Sequence, residues 1–189
     1  MQIILASASP RRQQLLELID LDFEIMVSEV EEDNTKDIPP EELAMAHAID
    51  KAIDVSKRVS GNAVVIGADT IVVVDGKVFG KPKDCNEAVQ MLTVLAGRDH
   101  IVISGVAVAK GGKVVSGFST TTVTFRPLSQ IEIERYVATG EPMDKAGAYA
   151  IQGRGALLVE SITGCYNNVV GLPLVRLSEL LRQIGVDLL

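Results

Sequence analysis

Ser7-Ala8-Ser9-Pro10-Arg11-Arg12 follows the apolar run Ile3-Ile4-Leu5-Ala6 and leads into Gln13-Gln14-Leu15-Leu16. The pattern predicts a short strand, a turn of small and hydroxyl residues, and a helix with Ser9 as its N-cap and Pro10 at its first position. Arg11 and Arg12 then fall in the first helical turn, where the helix dipole favours anions over cations. Free backbone N–H groups, two hydroxyls and two guanidinium groups at one helix start are the ingredients of a phosphate site. The alternative is a solvated first turn whose arginines pair with acids elsewhere.

Further along, Glu29, Glu31, Glu32 and Asp33 lie close together after an apolar stretch. Hard divalent cations take such oxygens, and Mg²⁺ uses one or two carboxylates beside waters and phosphates. A solvated acidic loop is the other reading. Gly67-Ala68-Asp69-Thr70 is expected to end an apolar strand, the place where α/β folds usually put ligands. Asp69 is the first choice for a catalytic carboxylate, because an unpaired charge between apolar flanks is costly unless something uses it. Lys81 stands between Gly80 and Pro82, so its backbone is constrained and its ammonium can address a phosphate. Lys51 is flanked by Asp50 and Asp54, and an ordinary surface ion pair explains that spacing as well. In the small, Gly-rich stretch 146–155, Gln152 offers both a donor and an acceptor to a base edge. The stretch matches neither a Walker A loop nor a dinucleotide fingerprint. His47 and His100 have no companion spaced as a metal ligand, and no Ser-His-Asp pattern is present.

The elements that must position these residues alternate between strand and helix. Strands are expected over 2–6, 23–27, 63–68 and 156–160, with an acidic loop over 29–40. Two hairpins are expected: 71–74 with 77–79 around Asp75-Gly76, and 101–109 with 113–125 around Gly111-Gly112. Helices are expected over 10–18, 41–59, 86–96 and 172–184. Another opens on the capping box Ser129-Gln130-Ile131-Glu132 and runs to about 138. This mixture indicates a single α/β domain over 1–189, with a mixed sheet flanked by helices and two lobes around a central cleft.

Composition narrows the function. The chain has 189 residues, of which 47% are apolar and only 4% aromatic, so Val, Ile, Leu and Ala must fill its core. A net charge of −7 argues against a nucleic-acid coat protein, which would show a basic face. No apolar run approaches a membrane span, and no signal peptide is expected. Cys85 and Cys165 have neither disulfide nor zinc spacing and suit a reduced, cytoplasmic setting.

Taken in order, these pieces resemble the Maf family of nucleoside triphosphate pyrophosphatases, the septum-formation-inhibitor homologues. The likeness covers nearly the whole chain. It rests on Ser7 to Arg12, Glu31-Glu32, Lys51-Ala52, Gly67-Ala68-Asp69-Thr70, Gly80-Lys81-Pro82, Asp144 to Tyr149 with Ile151-Gln152-Gly153, and Gly171-Leu172-Pro173-Leu174. The resemblance implies an elongated mixed sheet related to the inosine triphosphate pyrophosphatases, often in a homodimer. It implies hydrolysis of a nucleoside triphosphate to monophosphate and pyrophosphate with Mg²⁺ or Mn²⁺. Asp69-Thr70, with Arg12 and Gln152, looks like the branch acting on dTTP and UTP, ordinary or modified. Carried onto this chain, the triphosphate meets Ser7, Arg11 or Arg12, Lys51 and Lys81, and Glu32 with Asp69 holds the metal. Asp69 also serves as proton acceptor for the attacking water, while Thr70 and Gln152 read the pyrimidine. A non-catalytic nucleotide sensor that regulates septum formation is the competing expectation, and a part in cell-division arrest follows from the family name.

Overall fold

A computed structural model describes residues 2–35 and 37–189; residue 36 of the expected acidic loop lies outside them. Seven strands form one sheet: β1 (Ile3–Leu5), β2 (Glu24–Ile25), β3 (Val64–Val74), β4 (Lys77–Phe79), β5 (Asp99–Lys110), β6 (Lys113–Phe125) and β7 (Val159–Thr163). The order is β2-β1-β3-β5-β6-β7, with β4 paired to β3. β1 runs parallel to both β2 and β3, whereas β3 with β4 and β6 with β7 are antiparallel, so the sheet is mixed as expected. Six α-helices accompany it: α1 (Pro10–Glu17), α2 (Pro40–Ser56), α3 (Cys85–Leu95), α4 (Gln130–Val137), α5 (Tyr166–Val170) and α6 (Leu174–Gln183).

The chain divides into two compact units. The first comprises Met1–Thr70, Ser104–Ser119 and Gly171–Leu189; the second comprises Ile71–Ile103 and Thr120–Val170. Each has its own core. In the first, Ile4 of β1, Ala6 just after it and Val65 of β3 pack with Ala48, Ala52 and Val55 of α2. In the second, Leu92 and Leu95 of α3 pack with Phe125, Ile133, Tyr136 and Tyr149. No helix among the described residues is long and apolar enough to cross a membrane.

The largest departure from expectation is β3. Residues 67–70 do not end a strand; they lie inside one that runs unbroken from Val64 to Val74. The reason is the close packing of α2 on the strand. A Cβ at Gly67 would stand 2.2 Å from the carbonyl oxygen of Ala48, so only glycine lets α2 press onto the strand at this point. That contact brings polar side chains of α2 to Asp69, and a partnered carboxylate no longer has to leave the sheet. Smaller shifts have local causes. The last helix starts at Leu174 and not 172, because Pro173 is its N-cap. β7 starts at Val159 and not 156, because a 3₁₀ turn occupies Gly153–Leu157. β2 shrinks to two residues. The capping box forms with both of its hydrogen bonds, and β6 has the expected bounds.

Candidate active site

The first unit gathers seven of the expected site residues. Asp69 is 4% exposed, yet both of its oxygens are taken. Lys51 Nζ donates to Oδ1 at 2.7 Å, and His47 Nδ1 lies 3.1 Å from Oδ2. His47 and Lys51 are four residues apart, hence on one face of α2. Lys51 Nζ donates again, to Glu32 Oε1 at 2.6 Å. The ammonium therefore sits between the two carboxylates that the sequence singled out. The surface pair with Asp50 or Asp54 is not what forms: Asp54 accepts from Arg58 and from the Glu29 amide.

Charge follows from this packing. Burial alone would raise the Asp69 pKa, but the His47 hydrogen bond and the charges of Lys51 and Arg12 outweigh it and hold the carboxyl well below the usual range. The hydrogen bond to Asp69 raises the His47 pKa above its ordinary value, against the opposing effect of burial.

Arg12 turns inward and makes three hydrogen bonds. Its Nε donates to the Gly171 carbonyl at 2.9 Å, Nη1 to Ser7 Oγ at 3.0 Å and Nη2 to Thr70 Oγ1 at 3.2 Å. Thr70 Oγ1 also shares a 2.8 Å hydrogen bond with Ser104 Oγ. Gly171 has φ +125°, a backbone conformation that favours glycine where the guanidinium turns in. Arg12 thus finds three acceptors at positions 7, 70 and 171 while standing in the first turn of α1. Ser7 Oγ accepts from the Ser9 amide at 3.2 Å, which shapes the turn before α1. Ser9 is the N-cap, and its side chain makes no capping bond. Arg11 follows on that turn.

Lys81 and Gln152 belong to the second unit. Lys81 is exposed and Gln152 half-buried. The Gly147 amide donates to the Gly80 carbonyl at 3.0 Å, which ties the residue before Lys81 to the Gly-rich stretch.

The donor set fits a hard divalent cation. Glu32 and Asp69 point one oxygen each at the same position, where an ammonium now sits. Among the described residues no group of three or more His, Cys, Asp or Glu is placed to hold a metal. Two carboxylates suffice for Mg²⁺ when phosphate and water complete the shell.

His47, which bonds Asp69, is the residue of this cluster that sequence reading missed. The available signal was helical spacing: His47, Lys51 and Asp54 recur at intervals of four and three along α2, and Arg58 follows four residues later, just past its end.

Fold and site together define a mixed α/β protein with a carboxylate–lysine–arginine centre suited to a phosphorylated ligand. The family model described as Maf-like protein matches residues 2–184, and the chain belongs to the Maf family. It is 53% identical to a dTTP/UTP pyrophosphatase of Symbiobacterium thermophilum, covering 97% of this chain and 94% of that one. It is 51% identical to a protein of the same name from Dictyoglomus turgidum, covering 100% of this chain and 98% of the relative. Among solved structures it resembles a nucleoside-triphosphatase, dITP/XTP pyrophosphatase, of Mycobacterium abscessus. There the identity is 19% and the TM-score 0.42, over 66% of this chain and 73% of the other.

Proposed function

We propose that this protein hydrolyses dTTP and UTP to the monophosphate and pyrophosphate. The observation that carries the proposal is the single ammonium of Lys51 held between Glu32 and Asp69. A site that only bound a triphosphate would gain nothing from two carboxylates facing it, whereas a site that neutralises charge and orders water uses both. The printed names of the full-length relatives support the same reading.

In this proposal the Ser7 hydroxyl, the first-turn amides of α1, Arg11 and Lys51 hold the phosphates. Lys51 gains a phosphate oxygen as a partner and loosens its hold on Asp69 Oδ1. Asp69 then orients a water toward the α-phosphorus and takes its proton. The water oxygen bonds to the α-phosphorus, the bond to the bridging oxygen breaks, and that oxygen leaves with pyrophosphate. Glu32 and Asp69 would hold Mg²⁺ or Mn²⁺, which when bound neutralises phosphate charge and lowers the pKa of water. Positioning and charge neutralisation dominate, since an Asp69 held so far below the carboxylate range is a weak base. For Lys81 and Gln152 the roles in phosphate and base recognition rest on the family resemblance. So do a homodimer, a cytoplasmic location and a part in halting cell division.

The test is pyrophosphate release from a panel of nucleoside triphosphates, with and without Mg²⁺ or Mn²⁺. The expected result is release from dTTP and UTP above the purine nucleotides, abolished by EDTA; release from none would overturn the proposal. A second expectation separates the two arginines. Arg11→Ala lowers kcat/KM for every nucleotide about equally, by about tenfold or more, the equivalent of one charged hydrogen bond. Arg12→Ala frees Thr70 and narrows the preference for pyrimidines as well; equal losses for all nucleotides from both variants would leave Arg12 no selective role.

A further inference from the structure

His47 is 3% exposed, on a helix face otherwise built from Leu43, Ala44, Ala48, Ala52 and Val55. A buried imidazole among such residues is costly unless its nitrogens are bonded, and both are. Nδ1 meets Asp69 Oδ2 at 3.1 Å, and Nε2 meets the Asp33 backbone carbonyl at 3.3 Å. Asp33 follows Glu32 directly. One ring therefore bridges the strand that carries Asp69 and the loop that carries Glu32.

The same helix and the turn just past its end hold the rest of that loop. Arg58 donates to the Val27 carbonyl at 2.9 Å, Asp54 accepts from the Glu29 amide at 3.0 Å, and Lys51 binds the Glu32 carboxylate. His47, Lys51, Asp54 and Arg58 form one stripe that clasps residues 27–33, and His47 is its buried end. Lys51 and His47 also grip opposite oxygens of Asp69, so two donors from successive turns of one helix set the plane of that carboxylate.

We propose that His47 is a positioning residue that sets the orientation of Asp69 and its spacing from Glu32. This deepens the pyrophosphatase reading and rests on it for the roles of the two carboxylates. His47 touches no reacting atom in this assignment; it acts through Asp69 and through the Asp33 backbone. Groups that orient carboxylates in this way typically matter by about 10–100-fold in activity or metal affinity.

Three variants separate orientation of Asp69 from simple filling of the core. Leu fills the space and donates nothing. Asn places an amide donor near the position of Nδ1, toward Asp69, and Gln places one near that of Nε2, toward Asp33. The expected result is that His47→Leu lowers kcat for dTTP by about 10–100-fold with KM changed less than about threefold. His47→Asn recovers most of that kcat, and His47→Gln does not. Hydrogen exchange of the backbone amides of 29–35, measured without nucleotide, is expected to quicken in the Leu and Asn variants and to stay slow in the Gln variant.

Equal kcat for Asn and Gln, wild-type turnover by the Leu variant, or a raised KM with unchanged kcat would overturn the proposal. Should His47→Leu fail to fold, the comparison of Asn with Gln decides alone. A wild-type protein that releases no pyrophosphate from any nucleotide sinks the pyrophosphatase reading and, with it, the orientation of Asp69 for catalysis. The exchange pattern still decides whether His47 holds the loop to α2.

Discussion

Asp69→Asn is expected to lower kcat for dTTP by about 10²–10⁴-fold while KM stays level or falls. The substitution is nearly isosteric, and what it removes is charge. Asp69 is buried and receives one donor on each oxygen, from Lys51 and from His47. An amide keeps a single acceptor oxygen. It can satisfy Lys51 or His47 but not both, and its NH₂ group then faces a donor. Lys51 keeps Glu32 alone as its carboxylate partner. Water loses the group that orders it and takes its proton, and a bound cation loses one of two anionic holders. Binding of an anionic substrate does not suffer in the same way, because a negative charge facing the triphosphate has been removed. That split between kcat and KM distinguishes a catalytic carboxylate from one that merely shapes the site. Circular dichroism and a thermal melt establish that the variant is folded, and pyrophosphate release gives the rate. Near-normal turnover by a folded variant would remove Asp69 from the mechanism.

The limits of sequence reading at this site follow from distance along the chain. Features written in a few consecutive residues are legible: the Asp75-Gly76 and Gly111-Gly112 hairpins, the Ser129–Glu132 capping box, and the Ser9-Pro10 start of α1. Their physics is local. The types of the site residues are legible as well, since carboxylates, a constrained lysine and paired arginines each suggest phosphate chemistry. What local pattern cannot show is which partner wins. Asp69 reads as the end of an apolar strand, since an unpaired charge between apolar flanks is costly. It stays within β3 because donors 18 and 22 residues earlier reach it. Lys51 reads as a surface residue beside Asp50 and Asp54, and only the placement of α2 on β3 turns it inward. Nothing near Arg12 in the sequence announces the Gly171 carbonyl, 159 residues away, as its acceptor. Each misreading has one cause, a long-range hydrogen bond that outweighs a local preference.

The second unit carries a large expected effect of a different kind, a loss of stability in mild acid that originates at His100. This side chain is 2% exposed and packs edge-on against Phe125 and Tyr149, with ring centroids 5.0 and 5.3 Å away. Nε2 is bonded to the Tyr149 hydroxyl at 2.7 Å, while Nδ1 is buried with no partner. Burial foremost pushes the His100 pKa down to about 4, from an ordinary value of 6.5. Between those values the unfolded chain takes up a proton that the folded chain refuses. The contribution to stability is therefore complete above about pH 6.5. It falls as pH drops toward 4, by about 1.4 kcal/mol per pH unit once the unfolded histidine is protonated, for a total of about 3 kcal/mol. Replacing His100 alone would strand the Tyr149 hydroxyl, at a cost of about 1–3 kcal/mol, and confuse the measurement. The double variant His100→Phe with Tyr149→Phe removes both polar partners together and the orphaned nitrogen with them. At neutral pH its stability is expected to match or exceed the wild type, because exchanging both members of a buried pair for apolar groups is nearly neutral. Urea denaturation at pH 7 and pH 5 then isolates the proton. The wild type is expected to lose about 2 kcal/mol more than the double variant over that interval. Equal losses in the two proteins would place the acid sensitivity elsewhere in the chain and leave His100 as an inert part of the core.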